Sequence, residues 1–414
     1  MKNNILFVIP SLAPGGAEHQ TINQINYLIE GGNEHIRLLV LSKQVSLLHE
    51  LKLKPEHVKI IYDNEVGGID APLIKKLPLL IRKTRAIIRE EKISDIISIM
   101  PMAHVVCRLA LASLTFTDLR PELNVYFRSV NYTLTPPDTW QKKLFEFVSS
   151  TLARRFDTRS LFISQAVLKD ISANFFVRNP LVLPNSLPCR SIDAQTGEAY
   201  LEAQKFTPKY KILVPGRLHP TKGHLLFLEA FHDFVREQQL SPEQVRVFIA
   251  GEGAMREAII QKIETLGLES FFYLNGYTDN ELLLSLYKCM DLVVIPSHHE
   301  GFGNVAIEGL MQQSLLLASR TGGLAEIIRD GENGFTFENG NAQSLKEKLI
   351  YLYANRREEL LDRQALYREF LSKYTIDRQM EAIRNHCELE WRVPQRKPVP
   401  LPESANQASE CDSR

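Results

Sequence analysis

The sequence predicts an α/β protein built from two doubly wound, parallel-sheet domains. Three observations carry that expectation. The chain has 414 residues, more than one hydrophobic core ordinarily organises. Short runs rich in Val, Ile and Leu alternate with longer stretches of helical periodicity, the pattern of a parallel sheet covered on both faces. That alternation pauses once, over residues 184–209, and then restarts.

In the first part, apolar runs predict strands at 4–9, 36–41, 58–62, 95–99, 123–128, 160–163 and 181–183. Helical spacing predicts helices at 16–31, 73–91, 102–114, 138–155 and 164–174. The opening run Ile5-Leu6-Phe7-Val8-Ile9 is short, ends at Pro10 and leads into Pro14-Gly15-Gly16, so it reads as a buried first strand rather than a leader. The stretch 184–209 is rich in Pro, Ser, Gln and Thr and reads as a linker. Beyond it, strands are expected at 210–215, 245–250, 270–275, 291–295, 315–318 and 334–337, with helices at 222–236, 254–266, 278–288, 303–312 and 341–355. Two further helices, 357–372 and 376–392, close the ordered part, and the Pro-, Ser- and Gln-rich residues 394–414 are expected to be disordered. The domains are therefore drawn at 1–190 and 205–375, with 376–393 as a C-terminal helix crossing back to the first.

Charge divides along the same line. The net formal charge is zero, but residues 1–190 carry 24 basic against 17 acidic side chains and the remainder 25 against 32. A basic first domain suits an anionic surface, whereas nucleic acid is excluded as a partner because no basic and aromatic recognition surface is evident. The five cysteines are scattered without a C-x-x-C pair, which gives no disulfide framework and no metal site and fits a reducing, cytoplasmic compartment. No apolar run reaches the ~18 residues that a spanning helix needs. The longest, around Val105 to Phe116, is broken by Arg108. The mixed apolar and basic stretch Leu73 to Arg85 has two readings, a helix lying on an anionic bilayer or an ordinary surface helix, with Lys142, Lys143, Arg154 and Arg155 adding to the first.

The residues that carry chemistry follow strands, where open α/β sheets bind ligands. Lys211-Ile212-Leu213-Val214-Pro215 runs into Gly216-Arg217-Leu218-His219-Pro220-Thr221-Lys222-Gly223. That places two cations, Arg217 and Lys222, on one loop, suited to a diphosphate. Leu292 to Pro296 runs into Ser297-His298-His299-Glu300-Gly301-Phe302-Gly303-Asn304, then a helix carrying Glu308. The glycines allow close backbone approach, the helix start suits an anion, and two carboxylates before and within the helix suit the hydroxyls of one extended ligand. Glu308, between Ile307 and Leu310, requires a partner. The turn Thr321-Gly322-Gly323-Leu324-Ala325-Glu326 offers a further glycine pair, and Asp330 to Phe335 reads as a structural turn.

These motifs resemble the retaining GT-B glycosyltransferases of family 4. Gly216-Arg217-Leu218 with Lys222-Gly223, the segment from Glu300 to Glu308, and Gly322-Gly323 to Glu326 carry the resemblance, and Pro14-Gly15-Gly16-Ala17-Glu18 looks like the family's first glycine loop. The resemblance implies two Rossmann-like domains facing a central cleft and a nucleotide-sugar donor, UDP- or GDP-linked, held mainly by the second. It implies Arg217 and Lys222 on the diphosphate, Glu300 on the donor sugar, Gly301, Phe302, Gly303 and Asn304 beside it, Glu308 on the ribose, and Gly15 and Gly16 closing over the diphosphate. It implies no cofactor, no metal, and retention of configuration. The acceptor is expected to be a glycan or lipid-linked glycan of surface polysaccharide or lipopolysaccharide synthesis, met at the inner face of the membrane. One departure stands out: many members carry a histidine after the strand that here ends Tyr126-Phe127-Arg128-Ser129. His104 is the nearest replacement, with a plain helix-start residue as the alternative, and Ser164 and Asn185 fall at turn positions that shape the site. A GT-B-shaped sugar-nucleotide epimerase and a non-catalytic binding protein of the same fold remain the competing readings.

Overall fold

The computed structural model describes residues 4–60, 71–114, 120–129, 132–134, 136–190 and 192–395, without the side chains of 71–76. The chain forms two compact units, Met1–Pro188 with Tyr374–Gln395, and Cys189–Lys373.

The first unit is a seven-stranded parallel sheet of β1 (Ile5–Ile9), β2 (Ile36–Val40), β3 (Val58–Ile60), β4 (Asp95–Ile99), β5 (Glu122–Phe127), β6 (Arg159–Phe162) and β7 (Pro180–Val182). Their order in the sheet is β3-β2-β1-β4-β5-β6-β7. The reversal of order beside β1 is the switch point at which doubly wound sheets open toward ligands. All five residues of β1 and of β4 are buried; β1 accordingly reads as an unbroken apolar run rather than an alternating one, while β4 also buries Asp95 and Ser98.

Arg108, the charge that breaks the longest apolar run, is 1 % exposed. Its guanidinium donates to both carboxylate oxygens of buried Asp157 at 2.8 and 2.7 Å and to the Ser149 hydroxyl at 3.0 Å. The helix Pro101–Ala112 is thus a core helix with a fully partnered ion pair. Between Ala71 and Glu90, the helix turns Leu80, Thr84 and Ile88 inward. Leu79 is exposed, and the side chains of 71–76 lie outside the described residues. The final helix Ile376–His386 is part of the first unit. Gln379 on it bonds Gln24 at 2.8 Å, the Ser186 hydroxyl at 2.9 Å and the Pro184 carbonyl at 2.6 Å.

The second unit holds a six-stranded parallel sheet of β8 (Tyr210–Pro215), β9 (Val245–Ala250), β10 (Phe272–Gly276), β11 (Leu292–Ile295), β12 (Leu316–Ser319) and β13 (Phe335–Phe337). Its order is β10-β9-β8-β11-β12-β13. The switch point lies between β8 and β11, the two strands whose following loops hold the candidate site.

Three local expectations are corrected. Residues 184–209 are not all linker: Gln195–Ala203 is a helix. It packs on the helix Asn280–Cys289, where the Gly197 amide donates to the Ser285 hydroxyl at 2.7 Å. A side chain at Gly197 would press on Cys289 Sγ at 2.9 Å, so the glycine that weakens the helical signal is what permits the contact. The penultimate helix begins at Arg363, because Asp362 accepts from the amides of Gln364 and Ala365 and caps it. The last helix stops at His386 rather than near 392. The expected disorder beyond 395 lies outside the described residues.

Candidate active site in the second unit

The loops after β8, β11 and β12 are bound to one another by backbone contacts. The amides of His298 and His299 donate to the Thr221 carbonyl at 2.8 and 3.2 Å. Thr321 Oγ1 donates to the His298 carbonyl at 3.0 Å, and the Gly323 amide to the Glu300 carbonyl at 3.0 Å. Three glycines let these loops touch. Gly223, at φ 69°, lies against the Pro296 carbonyl, Gly322, at φ 46°, against the Glu300 carbonyl, and Gly323 against the Phe302 backbone. A Cβ at any of the three would overlap those atoms. The close approach expected at Gly322-Gly323 is therefore an approach to the Glu300–Phe302 backbone, which holds Glu300 in place.

Within this frame Lys222 and Glu300 meet. Lys222 Nζ lies 2.5 Å from Glu300 Oε2, and the side chains are 19 % and 15 % exposed. The Ser297 hydroxyl donates to the same oxygen at 3.3 Å. Arg217 is exposed on the same loop as Lys222. The helix Asn304–Met311 begins at Gly303, φ 111°, and no side chain caps it; Phe302 is buried beside its start.

Glu308, one turn inside that helix, accepts from the Tyr287 hydroxyl at 3.1 Å. Burial pushes its carboxyl up to about 7, against the opposing pull of the Tyr287 hydrogen bond and the Lys222 charge. Tyr287 is the partner the sequence demanded without revealing. It sits 21 residues away on a different helix, and only its place among the apolar residues of Asn280–Cys289 hinted at burial.

Two further features were not read from the sequence. The loop Gly251-Glu252-Gly253 after β9 supports Gly216-Arg217-Leu218: the Leu218 amide donates to the Glu252 carbonyl at 2.9 Å. Its signal was two glycines directly after an apolar strand. The other is His224, which follows Lys222-Gly223 and is 4 % exposed with no hydrogen-bond partner at either ring nitrogen. Burial, with Lys222 close by, lowers its imidazole from 6.5 to about 4. An unfolded chain binds the proton that the folded one refuses, so stability is complete above pH ~6.5 and lost as pH falls toward ~4. Circular dichroism melts at pH 7 and pH 4 are expected to show wild type losing roughly 3 kcal/mol more than His224→Leu.

The remaining sequence candidates lie in the first unit. Gly15, in extended backbone at φ −171°, precedes the helix that starts at Gly16, and no side chain caps this helix either. His104 is 2 % exposed, its Nδ1 lies 2.9 Å from the Ser98 hydroxyl, and its ring meets the edge of Phe127. Burial holds it well below the usual histidine range. It is a neutral core residue here, closed off from solvent. Where the resemblance expected a histidine, Arg128 stacks on the Tyr126 ring at 4.0 Å. Its guanidinium donates to Asn185 at 3.2 Å and Gln24 at 3.1 Å. Asn185 thus positions Arg128. Ser164 is buried and caps the helix Gln165–Ser172 through the Val167 amide.

Comparison with known proteins agrees with this architecture. The fold is that of the Anabaena protein HepE in complex with UDP, with a TM-score of 0.75 at 20 % identity, covering 94 % of this chain and 100 % of that one. It is therefore a GT-B fold. Residues 199–368, within the second unit, match the family described as glycosyl transferases group 1. An uncharacterised glycosyltransferase of Methanocaldococcus jannaschii is 34 % identical over 175 residues, 42 % of this chain and 46 % of that protein. A 2-deoxystreptamine N-acetyl-D-glucosaminyltransferase of Niallia circulans is 22 % identical over 237 residues, 54 % of this chain and 58 % of its own length. The chain spans about half the length of these two curated relatives.

Proposed function

We propose that this protein is a retaining, metal-independent glycosyltransferase that moves a sugar from a UDP- or GDP-linked donor to a glycan or glycolipid acceptor in surface polysaccharide or lipopolysaccharide synthesis. The observation that carries the reading is the Lys222–Glu300 pair, held by interlocked loops at the carboxyl ends of two adjacent central strands. A diphosphate entering there competes with Glu300 for Lys222 and adds Arg217. Glu300, released from its cation, is then an acceptor for sugar hydroxyls, and Glu308 for those of the ribose. Breaking the anomeric C–O bond leaves negative charge on the diphosphate, which the two cations and the N–H groups at the start of helix Asn304–Met311 stabilise. The acceptor hydroxyl attacks from the face the leaving group vacates, and a donor phosphate oxygen takes its proton. The UDP-bound neighbour and the N-acetylglucosaminyltransferase relative favour a UDP-linked sugar.

Incubating the purified protein with a panel of radiolabelled nucleotide sugars tests this. One donor is expected to be transferred, with the product keeping the anomeric configuration of the donor, or to be slowly hydrolysed to the free sugar. No turnover of any donor, or a product of inverted configuration, contradicts the reading.

A pH dependence follows from Glu308. Its carboxyl, pushed up to about 7, accepts ribose hydroxyls best when ionised. UDP affinity measured by calorimetry is therefore expected to rise from pH 6 to pH 8, and Glu308→Gln to flatten and weaken it. In the free protein the sign is opposite. A folded-state value above the unfolded one stabilises fully below pH ~4.5, and that stabilisation is lost as pH rises through ~7.

A further inference from the structure

The helix Trp140–Phe156 of the first unit turns its inner side, Ser149 and Ala153, to the protein, where it packs on Pro101–Ala112. Its outer side is apolar. Trp140 is 70 % exposed, Leu144 52 %, Phe147 70 % and Val148 47 %. Positions i, i+4, i+7 and i+8 share one side of a helix, so these four form a continuous stripe facing solvent. Leu134, just before the helix, is also exposed. Soluble surfaces seldom leave two aromatic rings and two aliphatic side chains aligned in this way.

The charges beside the stripe say what covers it. At about 100° per residue, Lys143, Arg154 and Arg155 fall within roughly 80° of its middle, and all three are exposed. The acidic residue of the helix, Glu146, is turned aside and accepts from the Tyr132 hydroxyl at 2.6 Å. The outward face is thus apolar at its centre and basic at its margins, with a tryptophan at one end. Such a face inserts at the boundary between headgroups and acyl chains, while its cations meet lipid phosphates. A protein partner of the usual kind would instead find this rim of like charge uncompensated. Among the described residues no helix is long and apolar enough to cross a membrane, so the contact is one of lying on the surface.

We infer that the helix Trp140–Phe156 docks the protein on an anionic bilayer through Trp140, Leu144, Phe147 and Val148, with Lys143, Arg154 and Arg155 on lipid phosphates. This moves the contact away from the stretch Leu73 to Arg85, where, among the described aliphatic side chains, Leu80 is buried, Leu77 and Ile81 are half-buried and Leu79 alone is exposed. The inference extends the proposal of a lipid-linked acceptor, and its test is separate from that of sugar transfer.

The full chain is to be sedimented with vesicles of phosphatidylglycerol and phosphatidylcholine, and with phosphatidylcholine alone. Binding is expected on the anionic vesicles and about tenfold weaker or more on the neutral ones. Leu144→Ser with Phe147→Ser, and separately Lys143→Glu with Arg155→Glu, are expected to weaken it about tenfold or more. Trp140 emission, read in a Trp391→Phe background, is expected to shift to shorter wavelength on binding. Wild-type absence of vesicle binding, variants that bind like wild type, or an unshifted emission would overturn the inference. So would size-exclusion data showing a dimer that Phe147→Ser converts to monomer, since a second copy would then cover the stripe. UDP binding measured on the same variants is expected to be unchanged. Loss of UDP binding in wild type with vesicle binding intact would count against the transferase reading alone.

Discussion

Lys222→Met is expected to lower sugar transfer at saturating donor by about a hundredfold to a thousandfold, the range seen when one group that stabilises developing charge is removed. The effect falls on kcat because the charge on the leaving diphosphate grows as the anomeric bond breaks. Glu300→Gln is expected to lower kcat as well, through loss of an acceptor for the sugar hydroxyls. Because the two side chains act on one transition state, the double variant is expected to lose less than the product of the single losses. Both side chains are only partly buried, and the loops around them are fixed by backbone bonds and glycine contacts. Folding is therefore expected to survive, with circular dichroism spectra like wild type. Wild-type rates for both variants at saturating donor would remove them from the site.

Arg108→Met is the second large expectation, and it concerns stability. The guanidinium and the Asp157 carboxylate are almost wholly buried and joined by two hydrogen bonds of 2.8 and 2.7 Å. Removing the cation leaves a buried carboxylate without a counter-ion, which costs about 3–5 kcal/mol. Arg108→Met with Asp157→Leu is expected to recover most of that loss, since a pair of buried charges stabilises little over apolar groups of similar size. The readout is convenient. The two tryptophans of the chain, Trp140 and Trp391, both lie in the first unit, so fluorescence-detected urea unfolding reports that unit by itself. A single variant as stable as wild type would show the pair to be inconsequential.

The two examples show what was readable in the chain and what was not. Strands buried on both faces write themselves as apolar runs, and all thirteen expected strands are present, with ends differing by a residue or two. Arg217, Lys222, Glu300 and Glu308 were legible because each follows or shortly succeeds such a run, where the sheet opens. The helix Gln195–Ala203 was not legible, since Gly197 interrupts its signal and its reason lies 88 residues away at Ser285. The partner of Arg108 was hidden in the same way, 49 residues on, and so was the link from Gln24 to Gln379 across 355 residues. A residue's type announces that it needs a partner; only the fold says which. The exposed stripe from Trp140 to Val148 was masked for the converse reason. Its apolar spacing is that of any helix packed on a core, and exposure distinguishes the two.

A crystal structure of the protein with UDP tests the central claim most directly. The account predicts the diphosphate within hydrogen-bonding distance, about 3 Å, of Lys222 and Arg217, with the Lys222–Glu300 contact opened and the ribose hydroxyls on Glu308. A nucleotide bound elsewhere, with Lys222 still paired to Glu300 and Glu308 still held only by Tyr287, would contradict it.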